Sequence, residues 1–103
     1  MIIYVDIDET ICTHGTARHY PDAMPIRENI NKINTLYDEG HTIVYWTARG
    51  GTTGLDWTEL TTQQLVVWGV KHHELKMGKP SYDLFICDKA INTEVFFNQE
   101  IKK

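Results

Sequence analysis

The chain has 103 residues, 42% of them hydrophobic, which is enough to bury one core and predicts a single domain over residues 1–103. Its net charge of −4 leaves no basic surplus, which argues against nucleic acid as a partner. No apolar run approaches the ~20 residues of a membrane span, and the N-terminus lacks signal-peptide features, so we expect a cytoplasmic protein without a membrane partner. Cys12 and Cys87 make neither a disulfide framework nor a zinc ligand set.

Two acids follow the first predicted strand. Residues 2–5 form an unbroken apolar run, typical of a strand buried on both faces, and Asp6 and Asp8 come directly after it. In open α/β sheets, ligands bind at the carboxyl ends of the strands. Two carboxylates held close together repel each other, and a hard cation such as Mg²⁺ removes that repulsion. The pair therefore indicates a metal-assisted phosphoryl site, unless the acids only cap a turn.

Residues 13–25 are rich in Gly, Thr, His and Pro and predict a loop or a short flap beside these acids. Arg18, His19 and Tyr20 lie in this stretch and either touch a substrate or are ordinary solvated loop residues. A helix is expected next, with its end at Gly40. Its apolar residues recur at helical spacing: Ile26, Ile30, Ile33 and Leu36.

Residues 42–46 predict a second buried strand, which stops at the polar stretch Thr47-Ala48-Arg49-Gly50-Gly51. A hydroxyl group followed by backbone amides at small residues and glycine makes a good phosphate cradle. A simple Gly–Gly turn into the next helix is equally compatible with the pattern. Asp56 and Glu59 then resemble a capping pair that opens a helix through Trp68.

One more strand is predicted in the last third of the chain. The loop over residues 76–80 brings in Lys79, next to a proline that blocks helix formation there. Residues 83–87 predict another buried strand, which ends at Asp88. A turn and a short C-terminal helix are expected after it.

Strands that alternate with helices predict a single Rossmann-like α/β/α domain. We expect a parallel sheet with right-handed crossovers and helices on both faces, in three layers and without a cap domain. Such a sheet gathers Asp6, Asp8, Thr47 and Asp88 at one edge, and Lys79 must reach this edge through its loop or its long side chain.

In this order and context, the four motifs resemble those of the haloacid dehalogenase-like phosphatase superfamily over nearly the whole chain. A strand followed by D-x-D-x-T matches Asp6-Ile-Asp-Glu-Thr10, and a strand ending in a hydroxyl residue matches Thr47. A lysine followed by proline matches Lys79-Pro80, and an acid after the next strand matches Asp88.

The resemblance implies a mechanism. Asp6 would be the nucleophile that becomes an aspartyl-phosphate, and Asp8 would be the general acid and base. Thr47 and Lys79 would hold the phosphoryl oxygens, with Ala48 and Arg49 as further substrate-binding residues. Mg²⁺ would be held by Asp6, the main-chain carbonyl of Asp8, and Asp88. Thr10 would brace the loop.

The chain departs from the family pattern in two ways. Cys87 stands where many relatives carry an acid beside Asp88, so Asn92 is expected to orient Asp88 or a metal-bound water instead. The segments between motifs are too short for a cap domain. The chain thus looks like small capless members associated with surface-polysaccharide biosynthesis, some of which oligomerise, and a phosphorylated sugar is the expected substrate.

Two alternatives remain open on the sequence. A receiver domain also places acids, a Thr and a Lys around a phosphorylated Asp, although its phosphoacceptor follows a later strand. A non-catalytic phosphosugar-binding module would result if the altered fourth motif had abolished metal binding.

Overall fold

A computed structural model describes residues 1–14, 19–51 and 54–98 of the chain, so Arg18 lies outside the described residues. In chain order the elements are β1 (Ile2–Val5), β2 (Cys12–Thr13), β3 (Met24–Pro25), α1 (Arg27–Asp38), β4 (Thr42–Trp46), α2 (Thr58–Val67), β5 (Glu74–Lys76) and α3 (Thr93–Asn98). A single 3-10 turn, Tyr20–Asp22, precedes β3. None of the helices in the described ranges is long and apolar enough to cross a lipid bilayer.

Three parallel strands form the main sheet, in the order β1, β4, β5. Val5 pairs with Tyr45 and Tyr45 with Leu75, so the carboxyl ends of the three strands lie at the same edge. A separate antiparallel pair, β2 with β3, places Cys12 opposite Pro25 and forms a short flap. The predicted α/β class and its parallel sheet are confirmed.

The hydrophobic core lies on one face of the main sheet. Along β1, Val5 points to this face and is buried, whereas Ile2 and Tyr4 point to the opposite face and are exposed. All three α-helices contribute buried side chains to this one core, which includes Ile30, Ile33, Ile43, Tyr45, Leu65 and Phe97. Burial of one such aliphatic or aromatic side chain is worth about 1.5–3 kcal/mol.

The strand order explains why the helices share a face. A right-handed crossover that moves in a given direction along a sheet always places its helix on the same face. The crossovers from β1 to β4 and from β4 to β5 move in the same direction. The described residues therefore form an α/β domain with helices against one face, rather than the three layers that the sequence predicted.

Residues 83–87 do not form the strand that the sequence predicted. No strand lies between β5 and α3 in the described chain, and Leu84, Phe85 and Ile86 are 75%, 55% and 87% exposed. A strand needs a neighbour as well as an apolar composition. The free edge of β1, opposite β4, has no strand beside it among the described residues. Without a strand there, the chain never reverses its direction along the sheet and no crossover helix is placed on the second face.

The two longer helices follow their predictions. α1 ends just before Gly40, whose φ of +99° is the left-handed conformation that glycine adopts readily at a helix end. In front of α2, Asp56 Oδ1 accepts a hydrogen bond of 2.9 Å from the Thr58 N–H group, which is the capping role expected of this aspartate.

Candidate functional site at the carboxyl edge of the sheet

A tight turn after β1 sets the directions of the two acids. The Ile7 carbonyl accepts hydrogen bonds from the N–H groups of Thr10 at 3.1 Å and Ile11 at 2.9 Å. Glu9 has a φ of +62°, a left-handed conformation that costs a residue with a side chain on the order of 1–3 kcal/mol. Thr10 Oγ1 lies 2.9 Å from Thr93 Oγ1, so Thr10 ties this turn to the start of α3.

Asp6 and Lys79 form the centre of the candidate site. Lys79 Nζ lies 3.5 Å from Asp6 Oδ2, and the Asp6 side chain is still 41% exposed, so a ligand can reach it. The other carboxylate oxygen accepts a hydrogen bond of 2.9 Å from the Ile7 N–H group. The backbone of Lys79 is fixed as well, because its N–H group donates to the Thr47 carbonyl at 2.9 Å. The loop thus delivers this lysine to the edge where the sequence required it.

The pKa of the Asp6 carboxyl group is raised above its ordinary value. Burial is the largest cause, because it removes water from the charged form. The positive charge of Lys79 and the Ile7 N–H group lower the pKa, and the negative charge of Asp8 raises it further. A further cation beside Asp6 would favour its charged form and lower this pKa again.

Thr47 is fully buried at the end of β4, and Ala48 next to it is half-buried. Thr47 Oγ1 accepts a hydrogen bond of 3.2 Å from the Arg49 N–H group. The turn that follows requires glycine at Gly50, whose φ is +82° and where a Cβ atom would lie 2.2 Å from the Leu55 carbonyl oxygen. Residues 47–51 thus form a tight turn at the site. This shape is compatible with both predictions for these residues, a phosphate cradle and a simple Gly–Gly turn.

Arg49 is buried, and its guanidinium group is bonded on several sides. Nε lies 3.1 Å from Asp8 Oδ2 and Nη2 lies 2.8 Å from Asp8 Oδ1, a bidentate pair. Nη1 donates to Thr61 Oγ1 at 3.0 Å and to Gln64 Oε1 at 2.6 Å. The guanidinium carbon lies 4.7 Å from the centroid of the Tyr20 ring. Contact between Arg49 and a substrate stays a prediction, although these donors are committed to the protein.

Sequence reasoning missed this network around Arg49. The signal was present on α2, where the polar residues Thr61 and Gln64 lie on the buried side of the helix together with Leu65. Buried polar side chains require buried partners. Gln64 Nε2 also donates to the Tyr20 carbonyl at 2.7 Å, which ties the flap to α2. Of the predicted flap residues, Tyr20 is thus structural.

A second cluster surrounds the Asp8 side chain. Ligand atoms of Asp8, Cys12 and His14 lie within 4.8 Å of one another, and His14 Nε2 is 2.9 Å from Asp8 Oδ1. This cluster does not fit a metal ion, because Arg49 Nη2 lies 2.8 Å from the same Asp8 oxygen and 3.9 Å from Cys12 Sγ. Burial also raises the pKa of the Cys12 thiol to about 12, so the sulfur keeps its proton. His14, which the sequence did not single out, is held by a hydrogen bond between its Nδ1 and Glu9 Oε2 at 3.0 Å, whereas its Nε2 has no hydrogen-bond partner among the described residues.

No contact among the described residues joins Asp88 to Asp6 or Lys79, so its role as a metal ligand stays a prediction. Asp88 follows the exposed residues 83–87 and is itself exposed, with Cys87 Sγ 3.9 Å from Asp88 Oδ1. Asn92 caps α3, since its Oδ1 accepts a hydrogen bond of 2.9 Å from the Glu94 N–H group. The contacts described above connect four of the predicted residues at one edge of the sheet: Asp6, Asp8, Thr47 and Lys79.

No family model and no curated protein matches the sequence. Among solved structures, the crystal structure of an MCSG target from Vibrio cholerae is similar in fold, with a TM-score of 0.82 and 24% sequence identity. The similarity covers 99% of this chain and 94% of that chain. At this identity the likeness shows the fold alone, so function is argued from the site.

Proposed function

We propose that this protein is a Mg²⁺-dependent phosphomonoester hydrolase of the haloacid dehalogenase-like type. The observation that supports this most is the pair of Asp6 and Lys79, a partly exposed carboxylate at the end of β1 with an ammonium group 3.5 Å away. A carboxylate nucleophile must be accessible to the substrate, and phosphoryl transfer needs a cation beside the transferred group. Asp6 meets the first requirement and Lys79 the second.

In the proposed reaction, a carboxylate oxygen of Asp6 attacks phosphorus and the ester oxygen leaves, which forms an aspartyl-phosphate. Water then attacks phosphorus, restores Asp6 and releases inorganic phosphate. Lys79 offsets the charge on the phosphoryl oxygens. The Thr47 hydroxyl is fully buried, so it would hold one of these oxygens only after the turn opens. Asp8 would give a proton to the leaving oxygen and later take one from water, which requires its carboxylate to be released from the bidentate pair with Arg49.

Asp6 suits Mg²⁺, because its carboxylate is a hard oxygen donor that is 41% exposed at the end of β1 and open to an ion. Asp6 and the main-chain carbonyl of Asp8 would hold the ion, with Asp88 as a third donor. When bound, the ion neutralises charge between the Asp6 carboxylate and the phosphoryl group. The Asp8 carboxylate is not available for this role, because Arg49 is paired with it.

The proposed substrate is a small phosphorylated metabolite such as a sugar phosphate. An open cleft beside the site is lined by Gly50, Gly51, Trp57, Met77 and Gly78, among others. An aromatic side chain such as Trp57 offers an apolar surface with a polar edge, which suits a sugar ring.

A second candidate function is a non-catalytic module that binds phosphosugars. The chain around Asp88 favours it, because residues 84–87 do not form the strand that would fix Asp88 at the edge of the sheet. A receiver domain is the third possibility, in which Asp6 would accept a phosphoryl group without repeated turnover.

Turnover of p-nitrophenyl phosphate and of a panel of phosphorylated sugars, with Mg²⁺ or with EDTA, tests the proposal. Asp6→Asn should abolish hydrolysis, whereas Asp22→Asn should not, since the Asp22 side chain is 76% exposed and paired only with His19 in the flap. A covalent phosphate should appear in the intact mass of acid-quenched wild-type protein and be absent from Asp6→Asn. Appreciable hydrolysis by Asp6→Asn would rule out Asp6 as the nucleophile.

The same samples distinguish the alternatives. A receiver domain would take up one phosphate from a small phosphodonor and show no multiple turnover. Isothermal titration of Mg²⁺ into wild-type protein and into Asp88→Ala separates the hydrolase from the binding module. The hydrolase should bind Mg²⁺ in a way that depends on Asp88, whereas the binding module should show neither turnover nor such a signal.

A further inference from the structure

Residues 84–87, here called the apolar segment, are the most exposed run of hydrophobic residues in the described chain. The segment reads Leu-Phe-Ile-Cys, without a charge, and its first three side chains are each more than half exposed. A continuous exposed apolar run of this kind marks an interaction site in proteins that fold stably. Its aromatic and β-branched residues are those that favour strands.

The free edge of β1 is the matching surface. β1 is bonded to β4 on one side, and the described residues place no strand on its other side. Ile2 and Tyr4 of β1 are 72% and 50% exposed on the sheet face that no helix covers. An unpaired strand edge presents a row of free N–H and C=O groups that can pair with another strand.

A parallel strand at this edge would complete the candidate site. The strand order would then reverse between the new strand and β1, and ligands of open α/β sheets bind at such a reversal. If Leu84 lies level with Ile2, the parallel register places Asp88 level with Asp6 at the carboxyl edge. The third oxygen donor expected for Mg²⁺ would thereby reach the nucleophile.

The chain's own segment cannot reach this position. The Lys79 backbone is bonded to Thr47, which extends the β1–β4 register to the level of Ile7. Lys79 lies on the β5 side of β4, so a position beside Ile2 on the far side of β1 is roughly 22 Å away, given 3.3 Å per residue along a strand and three strand spacings of ~4.8 Å. The five steps from Lys79 to Leu84 span at most about 18 Å when fully extended, without the turn that reverses the direction.

We propose that the apolar segment of one copy pairs in parallel with the β1 edge of a second copy, and that the exchange is reciprocal. Each site then receives Asp88 from the other copy. The assignment of Asp88 to a metal site rests on the proposed function, whereas the pairing itself rests on the fold. The occupant is a second copy because the same chain carries both complementary parts, an unpaired strand sequence and an unpaired edge.

The proposed register decides which side chains the exchange buries. Leu84 and Ile86 share the uncovered face with Ile2 and Tyr4, whereas Phe85 joins Ile3 and Val5 on the face that the helices cover. The exchange therefore buries Phe85 and pairs the free backbone groups of the β1 edge in both copies.

The molar mass in solution tests the pairing without reference to activity. Light scattering after gel filtration should give at least twice the 11.9 kDa of one chain. Phe85→Asp should give a monomer that retains the far-UV circular dichroism of the fold. Phe85 is 55% exposed in the single chain, and in the proposed register it lies level with Ile3 on the helix-covered face of the sheet. Val67→Asp is the matched control, because Val67 is 79% exposed on α2 and its replacement should leave the mass unchanged. A monomeric wild type, or an oligomer unaffected by Phe85→Asp, overturns the proposal.

Complementation between inactive variants tests the shared site. Asp6→Asn and Asp88→Asn should each lose turnover when pure. When they are unfolded together in equal amounts and refolded, half of the dimers contain one copy of each variant, and one of the two sites in such a dimer has both aspartates. About a quarter of the wild-type turnover should return. No recovery, from a wild type that is active and oligomeric, shows that Asp88 does not act across copies. An inactive wild type that passes the mass test overturns the proposed function and leaves the pairing standing.

Discussion

Replacement of Arg49 by methionine should lower the free energy of unfolding by about 3–5 kcal/mol, the loss typical of removing one partner of a buried ion pair. Methionine keeps the apolar stem but removes the guanidinium, which is fully buried and bonded to an Asp8 side chain that is 12% exposed. The Thr61 and Gln64 oxygens lose a charged donor at the same time. For a domain of this size, each 1 kcal/mol lowers the melting temperature by roughly 4–8 °C.

Urea unfolding followed by circular dichroism gives the free energies directly. A double-mutant cycle with Asp8→Asn should show a coupling of about 2 kcal/mol, because the second substitution does little further damage once the pair is broken. Lys71→Met is the matched control. Lys71 Nζ lies 2.8 Å from Asp38 Oδ1, the same distance as in the Arg49 pair, but both side chains are about half exposed, so the loss should stay below about 1 kcal/mol.

Comparison with Lys71→Met also defines the result that would contradict the predicted role of Arg49. If Arg49→Met is as mild as Lys71→Met, or if the effects of Arg49→Met and Asp8→Asn add within about 0.5 kcal/mol, the buried guanidinium does not hold the site together.

Three further substitutions test particular features. Folding raises the pKa of Asp6, so its contribution to stability is present below the unfolded pKa and lost as pH rises through the folded pKa. Asp6→Asn should therefore melt above wild type at pH 7, and thermal melts should show this advantage shrinking as pH falls; an advantage that is constant with pH contradicts the assignment. Tyr45→Phe should stabilise the fold by about 1 kcal/mol in urea, since the buried Tyr45 hydroxyl has no hydrogen-bond partner among the described residues. Gly50→Ala should destabilise by more than about 2 kcal/mol, and clearly more than Gly40→Ala, where φ is also positive but the space is open.

The positions of Asp6 and Thr47 could be predicted from the sequence because each follows an apolar run that reads as a buried strand. Parallel pairing then brings the two strand ends to one edge, which the register of β1 with β4 confirms. The sequence left open whether Lys79 reaches this edge through its loop or its long side chain, and the hydrogen bond of its N–H group to the Thr47 carbonyl shows that the loop places it there. The sequence pattern of a strand is therefore enough to locate a residue that directly follows this strand.

Local patterns are not sufficient for contacts between distant parts of the chain. The bidentate pair joins Arg49 to Asp8, 41 positions apart, and no periodicity encodes it. Residues 84–87 have the composition of a buried strand, but composition does not say which strand lies beside it or to which copy that strand belongs. The three-layer prediction was wrong for the described residues for this reason.

The anchoring of the flap by Arg49 has a consequence for the behaviour of the protein in acid. A guanidinium group does not lose its proton at any pH a protein survives, and the amide of Gln64, the hydroxyl of Thr61 and the carbonyl of Tyr20 are neutral throughout. The hydrogen bonds that join Arg49, Thr61, Gln64 and Tyr20 are thus independent of pH. The rest of the anchoring depends on carboxylates and imidazoles, because Arg49 is paired with Asp8 and His14 of the flap is bonded to Glu9.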